Sequence, residues 1–265
     1  MLATGSPQRL NPFTVSSAAE RAARDAMVGE YLSAIRRLGF IRTEPCTRAH
    51  LEDLFRGVEL KDRRVLDVGG GRGIQSYYAA VMGAREVVCL EPEAAGSRDG
   101  MTQTFGRIRE AHPKLPVKLY PLGIEQFDDP AGFDVILMNS SINHIDEDAC
   151  IRLLEDATAR EAFGRVFAHI ATLARPGARL IVVDCTRYNF FAALGLTNPL
   201  SRTIEWEKHQ APEVWAALLE KAGFRDPKVS WLPLYRFGKL GQAVSSNRAA
   251  AYFLKSGFRL EMTKG

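Results

Sequence analysis

Four glycines fall within five residues, at Gly69, Gly70, Gly71 and Gly73, directly after Asp67 in the stretch "VLDVGGGRGIQ". Such a stretch is costly in conformational freedom and adds nothing to side-chain packing, so its use lies in what it lets approach the backbone. A strand, a tight glycine turn and a helix in succession present bare N–H groups and a helix N-terminus to a ligand, the arrangement used for phosphates and nucleotides. Other residues carry further chemistry. Glu91 in "VVCLEPE", at the end of the next apolar run, offers two carboxylate oxygens to two neighbouring donors. His144 in "NSSINHI" and His209 in "RTIEWEKHQAP" carry imidazoles suited to moving a proton near neutral pH.

These groups need a scaffold that gathers strand ends, and hydrophobic periodicity supplies one. The stretch "SSAAERAARDAMVGEYLSAIRRLGF" spaces Met27, Tyr31, Ile35 and Leu38 as one face of a helix, and "CTRAHLEDLFRGV" predicts a second, shorter one. Strands and helices then alternate. "RRVLDVG", "EVVCLEP", "VKLYPL", "FDVILMN" and "RLIVVDC" read as strands. Between them lie helices over "IQSYYAAVMGA", over "SRDGMTQTFGRIREAH" and through "DEDACIRLLEDATAREAFGRVFAHIATLA", the last interrupted or continuous. This alternation predicts right-handed βαβ units and a mostly parallel sheet covered on both faces. After Cys185 the rhythm breaks into an aromatic, turn-rich segment. Next comes a helix in "APEVWAALLEKAGF", with Pro212 near its start and Gly223 past its end. "PKVSWLP" and "RAAAYFLKS" are expected to close the sheet as two strands.

The 265 residues, 46% hydrophobic and 25% charged, suit one large domain or one domain with an appendage. The net charge of +4 is mild and no basic stripe stands out, so a nucleic-acid partner is not expected. Four dispersed cysteines without a C-x-x-C pair offer neither zinc spacing nor a disulfide framework; Cys89 and Cys185 read as small buried residues in or beside strands. The amino-terminal "MLATGSPQRLNPF" lacks a signal-peptide pattern, and no apolar run reaches the ~18 residues that span a bilayer. A reduced, cytoplasmic protein with no membrane association is the expectation.

Three glycine-turn chemistries compete. A phosphate-binding P-loop requires a Gly-Lys-Ser/Thr that does not follow the turn. The dinucleotide fingerprint G-x-G-x-x-G is met only loosely, because its positions fall on Ile74 or Arg72, so hydride transfer is weakly supported. Asp67, Gly69, Gly71 and Gly73 spell D-x-G-x-G-x-G at the end of a first strand. This pattern resembles the first motif of class I S-adenosylmethionine-dependent methyltransferases of the small-molecule type. The resemblance covers about residues 60–255 and extends to the "LLEKAGF…VSW…AYFLKS" tail. It implies an α/β, Rossmann-like, doubly wound, seven-stranded, mostly parallel sheet whose last strand runs antiparallel beside the fifth. Residues 1–58 would then be an amino-terminal helical extension and residues 59–265 the cofactor-binding domain, with a lid at about 186–211.

The resemblance also implies S-adenosyl-L-methionine as cofactor. Asp67, Gly69, Gly70, Gly71 and Gly73 would receive it, and Glu91, followed by Pro92, would hold both ribose hydroxyls. In the segment "YPLGIEQF", Gly123 stands where the family often has an aspartate, which leaves the adenine to Ile124, Glu125, Gln126 or the backbone. Asn139 and Ser140, ending the fourth strand, would lie beside the methionine portion. In this picture the glycines clear space for the amino-acid and ribose parts of the cofactor.

Methyl transfer is an in-line displacement, and a hydroxyl acceptor must also lose a proton. His144, His209 and Asp184, which ends the fifth strand, are the candidates for that work. A helix-capping histidine and a turn-capping aspartate are the plainer readings; Asp146 to Asp148 read as a helix cap. Tyr188, Asn189, Phe190, Glu205 and Trp206 mix aromatic and polar groups as small-molecule pockets do. They equally suit a packed loop or an oligomer contact, a homodimer included. No proline pair follows Asn139, against amide-nitrogen or adenine methylation, and no Pro-Cys nucleophile appears. A metal-assisted reaction would need clustered Asp and Asn ligands, so none is expected. The expectation is a small acceptor, preferably a hydroxyl. A non-catalytic cofactor-binding scaffold and an RNA or protein methyltransferase are the alternatives.

Overall fold

Successive residues of the strand Arg64–Val68 (β1) feed two different cores: Val65 enters one buried cluster, Leu66 and Val68 the other. A strand with both faces covered reads as a continuous apolar run, which is why "VILM" and "LIVV" carry no polar alternation. The computed structural model, which describes residues 18–92 and 100–265, adds four further strands, all but the edge one of them showing the same split. These are β2 (Glu86–Leu90), β3 (Val117–Tyr120), β4 (Phe133–Asn139) and β5 (Ala174–Cys185). With β6 (Phe224–Trp231) and β7 (Gly257–Lys264) they form a seven-stranded sheet of order β3-β2-β1-β4-β5-β7-β6. β1 to β5 pair in parallel, and β7 runs antiparallel to both neighbours, as expected of this fold.

Helices α1 (Ala18–Arg37), α2 (Glu44–Leu54), α3 (Ile74–Val81) and α4 (Met101–Ala111) cover one face, with Tyr31, Leu51, Tyr77 and Phe105 buried there. The other face is covered by α5 (Glu147–Arg152), α6 (Ala157–Leu173) and α8 (Pro212–Lys221), where Trp215 packs against Phe163 and Phe167. Between β5 and α8 lies the one-turn α7 (Phe190–Ala193). Between β6 and β7 lie α9 (Gly238–Ser245) and α10 (Arg248–Phe253). The long helical stretch is interrupted: Asp156 caps α6 by accepting from the Thr158 amide at 2.8 Å. Residues 1–17, read above for a targeting signal, and residues 97–99, at the head of the expected fourth helix, lie outside the described residues. Among the described residues no helix is long and apolar enough to cross a membrane.

Two expectations are corrected. The stripe of α1 runs through Val28, Tyr31, Leu32 and Ile35, which leaves Met27 at its rim, 47% exposed. "RAAAYFLKS" is not a strand. Asn247 caps its first turn through the Ala250 amide at 2.9 Å, and the alanines continue as α10. The closing strand is instead "GFRLEMTK", in which Phe258, Leu260 and Met262 face one core while Arg259 and Glu261 are buried on the opposite side. Arg259 donates to the carbonyls of Leu54 (2.8 Å) and Arg56 (3.0 Å), at and beyond the end of α2, and pairs with Glu261 at 2.7 Å. Glu261 also pairs with Arg179 of β5. Burial and the nearby Arg56 charge pull the Arg259 guanidinium down to about 10. Removing one partner of a buried ion pair strands the other. Arg259→Ala is therefore expected to lower unfolding free energy by about 3 kcal/mol in urea denaturation, against a smaller loss for the more exposed Arg179→Ala.

Candidate active site

The glycine turn is anchored before any ligand arrives. The Gly69 and Gly70 amides donate to the Leu90 carbonyl at 2.8 and 3.1 Å, which ties the end of β1 to the end of β2. The Ser141 hydroxyl donates to the Val68 carbonyl at 2.6 Å and ties it to the segment after β4. Three of the four glycines are cleared for the protein's own atoms. A Cβ on Gly69 would lie 2.5 Å from Ser141 Cβ, one on Gly70 2.5 Å from Cys89 Sγ and 2.7 Å from Asp67 Oδ2, and one on Gly73 would meet the Phe105 ring. Gly71, with φ +55°, is the uncrowded one: among the described residues a Cβ there would meet only Met101 Sδ, at an ordinary 3.9 Å. The crowding thus serves packing as well as approach.

Asp67 is 1% exposed and accepts from the Ser76 hydroxyl at 2.6 Å on Oδ2; Oδ1 has no hydrogen-bond partner among the described residues. Burial pushes its carboxyl up to about 6, aided by the Glu91 charge and opposed by the Ser76 bond. Glu91, also buried, accepts from the Gly71 amide at 2.7 Å. Pro92 is half-buried beside it. After β3, Ile124 is buried in a single helical turn, while Glu125 and Gln126 are exposed, with Gln126 Oε1 3.3 Å from the Gly123 amide. Half-buried Asn139 lies opposite Val183 in the register. Exposed Ser140 follows with φ +55° and donates its amide to the Val183 carbonyl at 2.7 Å.

One step beyond Val183, Asp184 is 4% exposed and its Oδ1 lies 3.0 Å from His209 Nδ1 while accepting the Cys185 amide at 2.8 Å. Asp184 Oδ2 has no partner among the described residues. The chain before α8 is pinned beside α5: Arg187 donates to the carbonyls of His209 and Glu207, Gln210 to that of Cys150, and the Cys150 thiol to that of Lys208. The Cys185 thiol completes a set of three metal-capable donors within 4.8 Å. Burial and the Asp184 charge hold that thiol protonated, well above its ordinary range. The carboxylate already bonded to an imidazole has the geometry of a proton dyad.

The other predicted residues are dispersed. His144 is exposed and sits 2.6 Å from Glu147, and Lys208 bridges Glu147 (2.8 Å) and Glu205 (2.7 Å) at the surface. Asp146 caps α5 through the Ala149 amide. Tyr188 is exposed and Trp206 half-buried. Asn189 is 1% exposed; it caps α7 and donates to the carbonyls of Tyr252 and Leu254 and to the Ser256 hydroxyl, so its amide ties the end of α10. Phe190 packs on Phe253. The sequence reading missed Ser76, Ser141 and Asn143. For Ser76 a signal existed, since a buried strand-end aspartate needs a donor and a serine stands in the first turn of the helix that follows. Asn143, 1% exposed, has neither amide atom partnered among the described residues.

A family model described as a methyltransferase domain matches residues 36–228. The chain belongs to the class I S-adenosylmethionine-dependent methyltransferase family. Its cofactor is S-adenosyl-L-methionine. The methyltransferase is 31% identical over 177 residues to 3-amino-4-hydroxybenzoate 4-O-methyltransferase of Streptomyces cremeus, covering 65% of this chain and 43% of that protein. It is 35% identical over 85 residues to tRNA U34 carboxymethyltransferase of Shewanella putrefaciens, covering 32% and 24%. It spans less than half the length of either relative. Among solved structures, 1,6-didemethyltoxoflavin-N1-methyltransferase of Burkholderia thailandensis, with bound 1,6-didemethyltoxoflavin and S-adenosylhomocysteine, superposes with TM-score 0.51 at 19% identity. That match covers 98% of this chain and 93% of the other.

The donor set suits such a cofactor: a carboxylate at the turn, an Asp67 oxygen without a partner among the described residues, and room for a Cβ at Gly71. Asp67 carries a testable signature. Its carboxyl binds a proton more tightly folded than unfolded, so its contribution is fully present below pH 3.8 and is lost as pH rises through about 6. Asp67→Asn is expected to stabilise the protein by about 2 kcal/mol at pH 8 and by little at the acid end of that window, read by urea denaturation. The same variant is expected to weaken S-adenosylhomocysteine binding about tenfold or more in calorimetry.

Proposed function

We propose that this methyltransferase alkylates a hydroxyl oxygen of a small-molecule acceptor, with His209 as general base and Asp184 as its orienting partner. The observation that carries the reading is the 3.0 Å contact between Asp184 Oδ1 and His209 Nδ1, placed where β5 ends beside the Asn139–Ser140 turn. In open α/β sheets, ligands bind beyond the carboxyl ends of the strands. A carboxylate accepting from Nδ1–H fixes the tautomer that leaves Nε2 free to take a proton. The buried Asp184 charge then stabilises the imidazolium that forms. When bound, the cofactor supplies a methyl carbon activated by its positive sulfur. The chain's own work is to hold the donor, align the acceptor oxygen and remove its proton.

Holding the donor is assigned to Asp67, Gly69, Gly70, Gly71 and Gly73, with Glu91 and Pro92 at the ribose. Ile124, Glu125 and Gln126 are assigned to the adenine, and Asn139 and Ser140 to the methionine end. Tyr188, Glu205 and Trp206 are assigned to the acceptor, with Asn189 supporting that segment through α7 and His144 acting from the surface. The small-molecule reading is supported by the longer of the two curated matches described above, whose name gives a hydroxybenzoate as its substrate. The tRNA-modifying relative aligns over 85 residues.

The test is label transfer from S-adenosylmethionine to a panel of small phenols headed by 3-amino-4-hydroxybenzoate, run beside bulk tRNA and protein. Label in the phenols supports the proposal, label in tRNA or protein replaces it, and binding without turnover in any arm leaves a scaffold. With an acceptor in hand, His209→Ala is expected to lower kcat by about 100- to 10,000-fold. Its S-adenosylhomocysteine affinity should stay within about twofold of wild type, since the dyad does not hold the cofactor. Asp184→Asn should fall in the same range, and the double variant should be little worse than the worse single one. Turnover is expected to be indifferent to EDTA.

A further inference from the structure

The family match begins at residue 36, so Tyr31 lies outside the shared domain. Its ring is nonetheless 0% exposed, and its hydroxyl donates 2.7 Å to the carbonyl of Ile74, the residue that opens α3 directly behind the glycine turn. Beyond the end of α1, the Phe40 ring is faced by the guanidinium groups of Arg72 at 5.9 Å and Arg107 at 5.1 Å. Arg72 stands between Gly71 and Gly73, the two residues that carry the uncrowded side and the exit of the turn. One amino-terminal segment therefore touches the turn at its middle and at its end. The turn is sensitive to such handling, because Gly71 has φ +55° and Gly73 φ +78°, and because its Gly71 amide meets Glu91 at 2.7 Å.

We infer that residues 18–41 form a clamp that sets the position of the glycine turn and thereby the affinity for the sulfonium cofactor, with Tyr31 as its positioning residue. The inference stands apart from the choice of acceptor and from the His209–Asp184 dyad. A phenol hydroxyl on the first carbonyl of α3 fixes where that helix starts, and hence where the preceding amides point. The Phe40 face restrains the arginine inside the turn through attraction between cation and ring.

The experiment is calorimetry with S-adenosylhomocysteine on the full chain, comparing wild type, Tyr31→Phe, Phe40→Leu and Val28→Ala. Val28 is the control: it is buried in the same helix and cluster, and removing two methyl groups there loosens α1 while the Tyr31 hydroxyl and the Phe40 ring are kept. Tyr31→Phe and Phe40→Leu are each expected to weaken binding by about three- to tenfold. Val28→Ala is expected to lose thermal stability yet bind as wild type does. Tyr31→Phe binding within twofold of wild type would overturn the clamp. So would a loss of affinity in all three variants that tracks their melting temperatures, since helix packing alone would then explain it. A wild type that does not bind would overturn the clamp together with the cofactor assignment, and that failure is told apart by the first titration.

Discussion

The rest of the site hangs on a packing constraint at the end of β1, where the backbone must turn inside a space too small for a Cβ at three of its four glycines. Ser141, Cys89 with the Asp67 carboxylate, and Phe105 press on Gly69, Gly70 and Gly73 from three directions. Each neighbour comes from a different element, so the turn is the point where β1, β2, the segment after β4, and α4 are brought into fixed relation. Hydrogen bonds from Ser141 and into Leu90 then lock the same junction. Close packing in a protein interior transmits small displacements instead of absorbing them. The placement of Glu91 against Gly71 follows from this junction, and the end of β4 is placed by the same neighbour, Ser141.

Two of the buried acids at the carboxyl edge, Asp67 and Asp184, are treated differently. Asp67 is compensated by one hydroxyl and is pushed toward its neutral form. Asp184 has a backbone amide and an imidazole on one oxygen. In each case a second oxygen is left without a protein partner among the described residues. Burying a polar atom unpartnered is unfavourable, and such atoms gather at sites where stability is traded for binding or reaction. Both acids stand at strand ends, on β1 and β5, where an α/β sheet gathers its ligands.

Much of this was legible in the residues. The glycine turn, Asp67 before it and Glu91 after the second strand lie close together in the chain, so their relation survives in a one-dimensional reading. His209 and Asp184 were legible singly but not as a pair, because they lie 25 positions apart along a largely irregular stretch and no periodicity reports the contact. The last strand was hidden by its own chemistry: Arg259 and Glu261 occupy positions where a buried strand is expected to be apolar. They are tolerated there because the ends of α2 and β5 supply carbonyls and an arginine. Asn189 has the composition of a pocket residue, and only the fold shows its amide bound to the end of α10.

The placement of β7 has a kinetic consequence. Although β6 precedes it in the chain, β7 lies between β5 and β6 and is the sheet partner of both. During synthesis β5 and β6 must therefore wait, with unpaired ladder edges, until a strand made after both has emerged. Non-local closure of this kind slows folding and leaves edges open to foreign strands in the interval. β6 is suited to that wait: it carries Pro227, exposed charges at Arg225 and Lys228, and an irregular register between those two residues. The features that keep its outer edge solitary in the finished sheet are the ones that protect it while its partner is still being made.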